Sequence, residues 1–167
     1  MAIGAPGRDS GLLANSGAAL VFEESAGIWL ESAFKEPSAP QPLGLYGHSV
    51  DLNRDHLLVG APGEDSGAGS AYIYDRLSSM WINPERLVPD ATSAGSFGLD
   101  VGLSIRTAVV GAPMAGNSQG TVCVYRYANG SWNVQDGFLP PELQMPGTEF
   151  GKSISCEVPF LLVGCPG

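Results

Sequence analysis

Hydrophobic and polar residues follow one another along this chain in short runs that predict β-strands. The segment Ser49–Leu52 alternates polar and apolar residues, which is the pattern of a strand with one buried face. The turn residues 53–55 follow, and His56–Ala61 is then almost continuously apolar, as is typical of a strand buried on both faces. Pro62 ends this run, because proline has no N–H to donate to a sheet.

Two more strands complete this stretch of the chain. A glycine-rich loop at 63–69 leads into Ser70–Tyr74, which is rich in the aromatic and β-branched residues that strands favour. A fourth strand is expected from near Trp81 towards Val88, before the proline at position 89. The pattern therefore predicts an antiparallel meander of four strands.

This pattern repeats along the whole chain. Gly-Ala-Pro, or Gly-Cys-Pro in its last copy, recurs at intervals of 56, 51 and 53 residues. An aromatic-glycine pair and a tryptophan recur in the same register, and we expect the aromatic to anchor neighbouring units and the tryptophan to cap a core. The repeated positions are Gly4, Gly60, Gly111 and Gly164; Pro62 and Pro113; Tyr46, Phe97 and Phe150; Gly47, Gly98 and Gly151; and Trp29, Trp81 and Trp132.

Four strands in about 51 residues form the unit of a β-propeller blade. We therefore expect an all-β fold of about three four-stranded blades, a partial propeller. The predicted units are 1–45, which lacks its first strand, then 46–96, 97–149, and 150–167, which holds two strands. Two interpretations stay open: a fragment of a longer propeller, or two chains that pool their blades and self-associate through open end blades.

Charge and composition exclude some classes of protein. The net charge of −9 and the isoelectric point near 4.4 argue against nucleic-acid binding, which needs a basic surface. No apolar run is long enough to span a membrane, and no signal peptide or anchor is predicted. The three cysteines are interpreted as small buried side chains, because they occupy no repeated position.

The sequence resembles the FG-GAP repeat, which builds the β-propeller head of integrin α subunits. The resemblance rests on Phe-Gly, then Leu-Leu-Val-Gly-Ala-Pro, then Gly-x4-Tyr and a tryptophan, in register three times. It implies an extracellular or cell-surface module for protein interaction or cell adhesion, without catalytic residues or a cofactor. The alternative it leaves open is the accessory propeller of a secreted hydrolase whose catalytic domain lies outside this chain.

The resemblance also indicates where ligands would bind. In integrin heads, contacts concentrate on the loops between second and third strands and on the connectors between blades. Here those loops are 7–16, 63–68 and 114–119, and the connectors are 37–45, 90–96 and 141–149. The candidate ligand-facing residues are Arg8, Asp9, Glu64, Asp65 and Asn117, and the carboxylates of Asp9, Glu64 and Asp65 are expected to be solvated.

A calcium site is a weaker expectation. Asp51, Asn53 and Asp55 have the alternating oxygen ligands with which an EF-hand-like loop begins. His56 stands where that pattern has glycine, and no later carboxylate follows before Gly60, so an ordinary hairpin turn is favoured.

Other candidate chemistry is sparse. His48 and His56 have no histidine counterparts in the sibling repeats and are expected to be exposed at strand edges. The sequence lacks a recognisable Ser/His/Asp set. Asn129-Gly130-Ser131 is both a glycosylation sequon and a favoured hairpin turn, so Asn129 is a candidate glycosylation site.

Overall fold

The computed structural model is built almost entirely of antiparallel β-sheet. It describes residues 1–90, 92–138, 140 and 145–167, apart from the side chains of residues 136 and 138. The strands are β1 (Ala2–Ala5), β2 (Ala18–Ser25), β3 (Ile28–Lys35), β4 (Val50–Leu52), β5 (His56–Ala61), β6 (Ser70–Leu77), β7 (Met80–Leu87), β8 (Val101–Ser104), β9 (Thr107–Ala112), β10 (Thr121–Ala128), β11 (Ser131–Phe138), β12 (Ser153–Glu157) and β13 (Phe160–Gly164). Two single helical turns are α1 (Glu64–Gly67) and α2 (Ala115–Ser118).

The strands form four sheets, and each sheet is a meander in chain order. Blade 1 is β1–β3, blade 2 is β4–β7, blade 3 is β8–β11, and blade 4 is β12–β13. Each sheet lies within one of the units proposed from the sequence, whose exact limits stay predictions. The chain thus has the all-β fold of a partial β-propeller, as the repeat pattern predicts.

The apolar cores lie between neighbouring blades, because successive side chains of a strand point to opposite faces of its sheet. In β5, Leu57 and Val59 pack into the core shared with blade 1. Leu58, between them, packs into the core shared with blade 3. All six residues of β5 are buried, which explains its continuous apolar sequence.

The aromatic-glycine pairs join one blade to the next. Tyr46, Phe97 and Phe150 are buried, and each forms an isolated parallel bridge to a glycine of the preceding blade. At Gly69, the partner of Phe97, φ is +85°, and an added Cβ would lie 2.2 Å from the carbonyl oxygen of Phe97. Only glycine fits this close backbone approach. The repeated aromatics therefore hold blade junctions, as expected.

The repeated tryptophans do not all cap a core. Trp81 packs into the core between blades 1 and 2, and Trp132 into the core between blades 2 and 3. Trp29 is 54% exposed, so the expectation of a buried cap is wrong at that position. The reason is that each tryptophan faces the preceding blade, and no described sheet covers that face of blade 1.

Candidate functional site

One edge of the blades carries the loops between second and third strands together with the connectors between blades. We call this surface the loop face; its described residues are 7–16, 37–45, 63–69, 92–96, 114–119 and 145–149. The expected connector residues 91 and 141–144 lie outside the described residues.

Backbone hydrogen bonds tie the loops of this face to the adjacent connectors. Leu43 N–H donates to the carbonyl of Ala14 at 2.8 Å, and Phe97 N–H to that of Ala68 at 3.1 Å. Phe150 N–H donates in the same way to a carbonyl of the loop 114–119. The loop face therefore presents its side chains from a fixed backbone, as a binding surface on a rigid scaffold does.

The short turns of blades 2 and 3 share an unusual backbone. Asp65 and Ser66 have φ of 51° and 61°, and Gly116 and Asn117 have φ of 57° and 61°. Aspartate, asparagine and glycine tolerate this left-handed region better than most residues. Asp65 and Asn117 are both exposed at these turns.

The long loop of blade 1 carries two further candidates. Arg8 is exposed, pairs with Glu36, and lies with its guanidinium carbon 4.7 Å from the centre of the Phe34 ring. Asp9 is also exposed, and its carboxylate accepts the backbone N–H of Asn15 at 2.8 Å, which closes the loop on itself. Both side chains lie on the loop face.

Glu64 is fully buried, so its expected place among the solvated loop residues is wrong. Its carboxylate accepts hydrogen bonds from the hydroxyls of Ser70 and Tyr72 and from the guanidinium of Arg86. The Arg86–Glu64 distance is 3.0 Å, and Arg86 also reaches Asp65 at 2.7 Å. Because these partners compensate the charge, Glu64 is buried as a structural anchor of the loop.

Exposed aliphatic side chains are the feature of the loop face that the sequence analysis did not identify. Leu12 is fully exposed at the tip of the blade 1 loop, and Leu43 is 60% exposed on the connector bonded to that loop. Met114 is exposed on the loop of blade 3. The available signal was a leucine pair, Leu12 and Leu13, inside a loop otherwise rich in glycine and polar residues.

A cleft of about 360 Å³ lies between blades 1 and 2. We call it the interblade cleft. Phe34 and Lys35 of β3 line one side, and Tyr72, Tyr74, Trp81 and Arg86 of β6 and β7 line the other. Aromatic and cationic side chains therefore dominate its walls.

The cleft contains perturbed titratable groups. Burial, reinforced by the neighbouring Glu64 charge and hydrogen bond, raises the pKa of Tyr72 to about 12. Burial lowers the pKa of Lys35, whose ammonium donates to the Trp81 carbonyl at 2.7 Å and lies 5.3 Å from the centre of the Tyr74 ring. Outside the cleft, hydrogen bonds from Arg86 and Gln41 hold the pKa of the loop residue Asp65 below its usual value.

Two of the three residues proposed for calcium, Asp51 and Asn53, already accept hydrogen bonds with their side-chain oxygens. The two carboxylate oxygens of Asp51 accept the backbone N–H groups of Leu52 and Leu103, each at 2.8 Å. The side-chain oxygen of Asn53 accepts two backbone N–H groups, from Asp55 and His56, at 2.9 Å. This arrangement closes a hairpin turn. Within the described residues, no group of three or more His, Cys, Asp or Glu side chains is placed to hold a metal ion.

His56 is buried, so the expectation of an exposed strand-edge histidine is wrong for this residue. It is 5% exposed, and its Nδ1 lies 3.1 Å from a carboxylate oxygen of Asp75. Its ring contacts Tyr127 and Trp132 of blade 3, with centroid distances of 4.9 and 5.0 Å. His48 is exposed, as expected. His56 therefore serves as a polar contact within the core between blades 2 and 3.

The candidate glycosylation residue, Asn129, is exposed in the turn between β10 and β11. Asn129 and Gly130 have φ of 55° and 85°, as the two-residue Asn-Gly hairpin turn requires.

Cys123 is buried, and its thiol donates to the hydroxyl of Ser93 at 3.5 Å. Cys156 and Cys165 are partly buried, and all three cysteines are free thiols.

Comparison with known proteins identifies the repeat. A scan against models of protein families matches residues 44–74 to the FG-GAP repeat. This segment begins at the blade 1–blade 2 junction and ends within β6. A search of curated proteins found no match. Neither helical turn of the described chain is long and apolar enough to cross a membrane. The chain therefore contains an FG-GAP repeat at residues 44–74, within an all-β fold of propeller-type blades.

Proposed function

We propose that this chain is a non-enzymatic interaction module of the cell-adhesion type, which presents its loop face to a protein ligand outside the cell. The FG-GAP match supports a propeller-type interaction module. The observation that carries the proposal is the exposure of Leu12 and Leu43 on two hydrogen-bonded segments of that face. Exposed apolar side chains mark a protein-binding surface when they are contiguous, and the Leu43–Ala14 hydrogen bond brings the segments of these two leucines together.

The surroundings of these leucines also suit a protein ligand. Arg8, Asp9 and Asp65 are exposed on the same face, so this face carries charges of both signs as well as exposed leucines. A protein interface commonly combines an apolar core with a polar rim. The fixed backbone reduces the entropy lost on binding, because the loops are already ordered.

The buried titratable groups support a non-enzymatic role. The Glu64 carboxylate is engaged by Ser70, Tyr72 and Arg86, and His56 is enclosed by Asp75 and two aromatic rings. These contacts hold loops and blades in place. In the proposed function these titratable side chains therefore support a binding surface and take no part in catalysis.

The test is selection of peptide ligands from a displayed random library against the purified chain. Peptides that bind should depend on the leucines, so we expect Leu12→Asp and Leu43→Asp each to weaken the enriched peptides about tenfold or more. Biolayer interferometry with the synthetic peptides gives the dissociation constants.

A matched control is Ile105→Asp, which changes an aliphatic residue with an exposure similar to that of Leu43, on the turn between β8 and β9. This variant should bind the same peptides as the unaltered chain. The proposal is overturned when the selection yields no binders, or when the enriched peptides bind the Leu12→Asp and Leu43→Asp variants undiminished.

A further inference from the structure

The interblade cleft distinguishes the junction of blades 1 and 2 from the junction of blades 2 and 3. At the junction between blades 2 and 3, the position of Lys35 is taken by Leu87, and that of Tyr72 by Cys123. Leu87 and Cys123 are both buried in the apolar core of that junction. The position of Arg86 is taken by Gly137, which is paired with Cys123 as Arg86 is with Tyr72. Since the same fold forms with apolar residues at these positions, the charged cleft is not a requirement of blade packing.

Among the described charged side chains in and around the cleft, one cation has no carboxylate partner. Arg86 contacts the two carboxylates of Glu64 and Asp65. Glu36, which also lines the cleft, pairs with Arg8. Within the described residues Lys35 has no carboxylate partner, and its one hydrogen bond goes to the backbone carbonyl of Trp81. An ammonium has three N–H donors, so Lys35 retains donors for a ligand.

Lys35 is also well placed to gain from such a ligand. Lys35 is partly buried, and its ammonium lies 5.3 Å from the centre of the Tyr74 ring, where a charge is solvated less than in water. A hydrogen-bonded anion would restore the solvation lost on burial. The neighbouring Phe34, Tyr74 and Trp81 provide apolar surface for the rest of the ligand.

We propose that the interblade cleft binds a single carboxylate group attached to an aromatic or apolar body, with Lys35 as the charge partner. The cleft volume of about 360 Å³ suits a small ligand or one side chain of a partner. This site is separate from the leucines of the loop face, and its occupancy does not depend on the function proposed there.

The first test uses phenylacetate as probe and phenylacetamide as its neutral analogue. Titration of the full chain, followed by tryptophan fluorescence and by ligand-observed NMR, should show saturable binding of phenylacetate with a dissociation constant of about 1 mM, as expected for a ligand of this size. Phenylacetamide should bind at least about tenfold more weakly, because it lacks the charge.

Lys35→Met keeps much of the apolar stem and removes the charge, and it should weaken phenylacetate about tenfold without changing the weak binding of the amide. Lys152→Met is the matched control, because Lys152 is the other lysine of the chain and pairs with Glu149 on blade 4. That variant should bind like the unaltered chain. Lys35→Arg, which retains the charge, should recover part of the affinity and shows that the effect is not a loss of folding.

The source of the carboxylate is distinguished by a second pair of probes. A blocked tripeptide with a central glutamate, compared with its glutamine analogue, reports binding of a protein side chain. Preference for this peptide over phenylacetate assigns the site to a protein partner, and the reverse preference assigns it to a free small carboxylate. The proposal is overturned when no carboxylate probe saturates, when charged and neutral members of each pair bind equally, or when Lys152→Met weakens binding as much as Lys35→Met.

Discussion

Replacing Glu64 with glutamine removes one negative charge from a fully buried position and leaves its shape nearly unchanged. The carboxylate accepts hydrogen bonds from Ser70, Tyr72 and Arg86. All three donors reach the same oxygen, Oε2, and the neutral amide oxygen of glutamine has two lone pairs, so at least one donor loses its acceptor. We therefore expect the variant to be destabilised, and the size of the effect follows from the partners that remain.

Breaking a buried ion pair by removing one partner costs about 3–5 kcal/mol. Two features reduce that figure here. The Arg86 side chain is 35% exposed, so water screens its charge, and it keeps Asp65 at 2.7 Å. A hydrogen bond to a charged group contributes about 1.5–3 kcal/mol. The expected loss of unfolding free energy for Glu64→Gln is therefore about 2 kcal/mol.

Urea denaturation followed by tryptophan fluorescence measures this loss as a lower midpoint at an unchanged slope. Asp65→Asn is the matched control, since it alters the exposed carboxylate that contacts the same guanidinium. An exposed ion pair contributes about 0–1 kcal/mol, so the control should be nearly neutral. Equal effects of the two substitutions, or a change below about 0.5 kcal/mol for Glu64→Gln, would refute the role of Glu64 as a buried anchor.

Three further predictions concern the blade cores. Trp132→Ala should lower the free energy of unfolding, measured by denaturation, by about 3–5 kcal/mol. Trp29→Ala changes an exposed side chain and should lower it by less than about 1 kcal/mol. Equal losses would contradict the assignment of Trp132 to a core. His56→Ala should cost about 2 kcal/mol and His48→Ala less than about 0.5 kcal/mol in the same assay, because only the first is enclosed by a neighbouring blade. The folded pKa of Tyr72, about 12, lies above the value of about 10 in an unfolded chain, so its contribution to stability is present below pH 10 and lost as the pH rises towards 12. Its tyrosinate absorbance should therefore appear late in an alkaline titration, together with unfolding, and Tyr72→Phe should reduce the amplitude of this late rise.

The strands and blade junctions followed from the sequence because they depend on local periodicity and on repetition. The run His56–Ala61 is β5 in the structure with the same limits, and Tyr46 and Phe97 lie at blade junctions as their spacing indicates. These residues have the same structural role in each repeat. Comparing the three repeats in register therefore distinguishes them from positions that vary.

The residues of the candidate site were harder to predict because they are the positions at which one copy departs from the others. Glu64 belongs to a polar loop by sequence, and its burial depends on Arg86 from a strand 22 residues away. Predicting the cleft beside Lys35 requires knowing which face of β3 contacts blade 2. Strand periodicity alone does not show which face that is. Trp29, in contrast, occupies the repeat position of a buried tryptophan but is exposed, because no described sheet covers that face of blade 1.

Amide hydrogen exchange of the chain with and without a selected peptide tests the central claim, that the loop face is the interaction surface, most directly. If peptides bind the loop face, exchange slows on binding at residues 10–15 and 41–45, the segments that carry Leu12 and Leu43. Slower exchange confined to the opposite edge of the blades, at the turns 53–55 and 105–106, would contradict it.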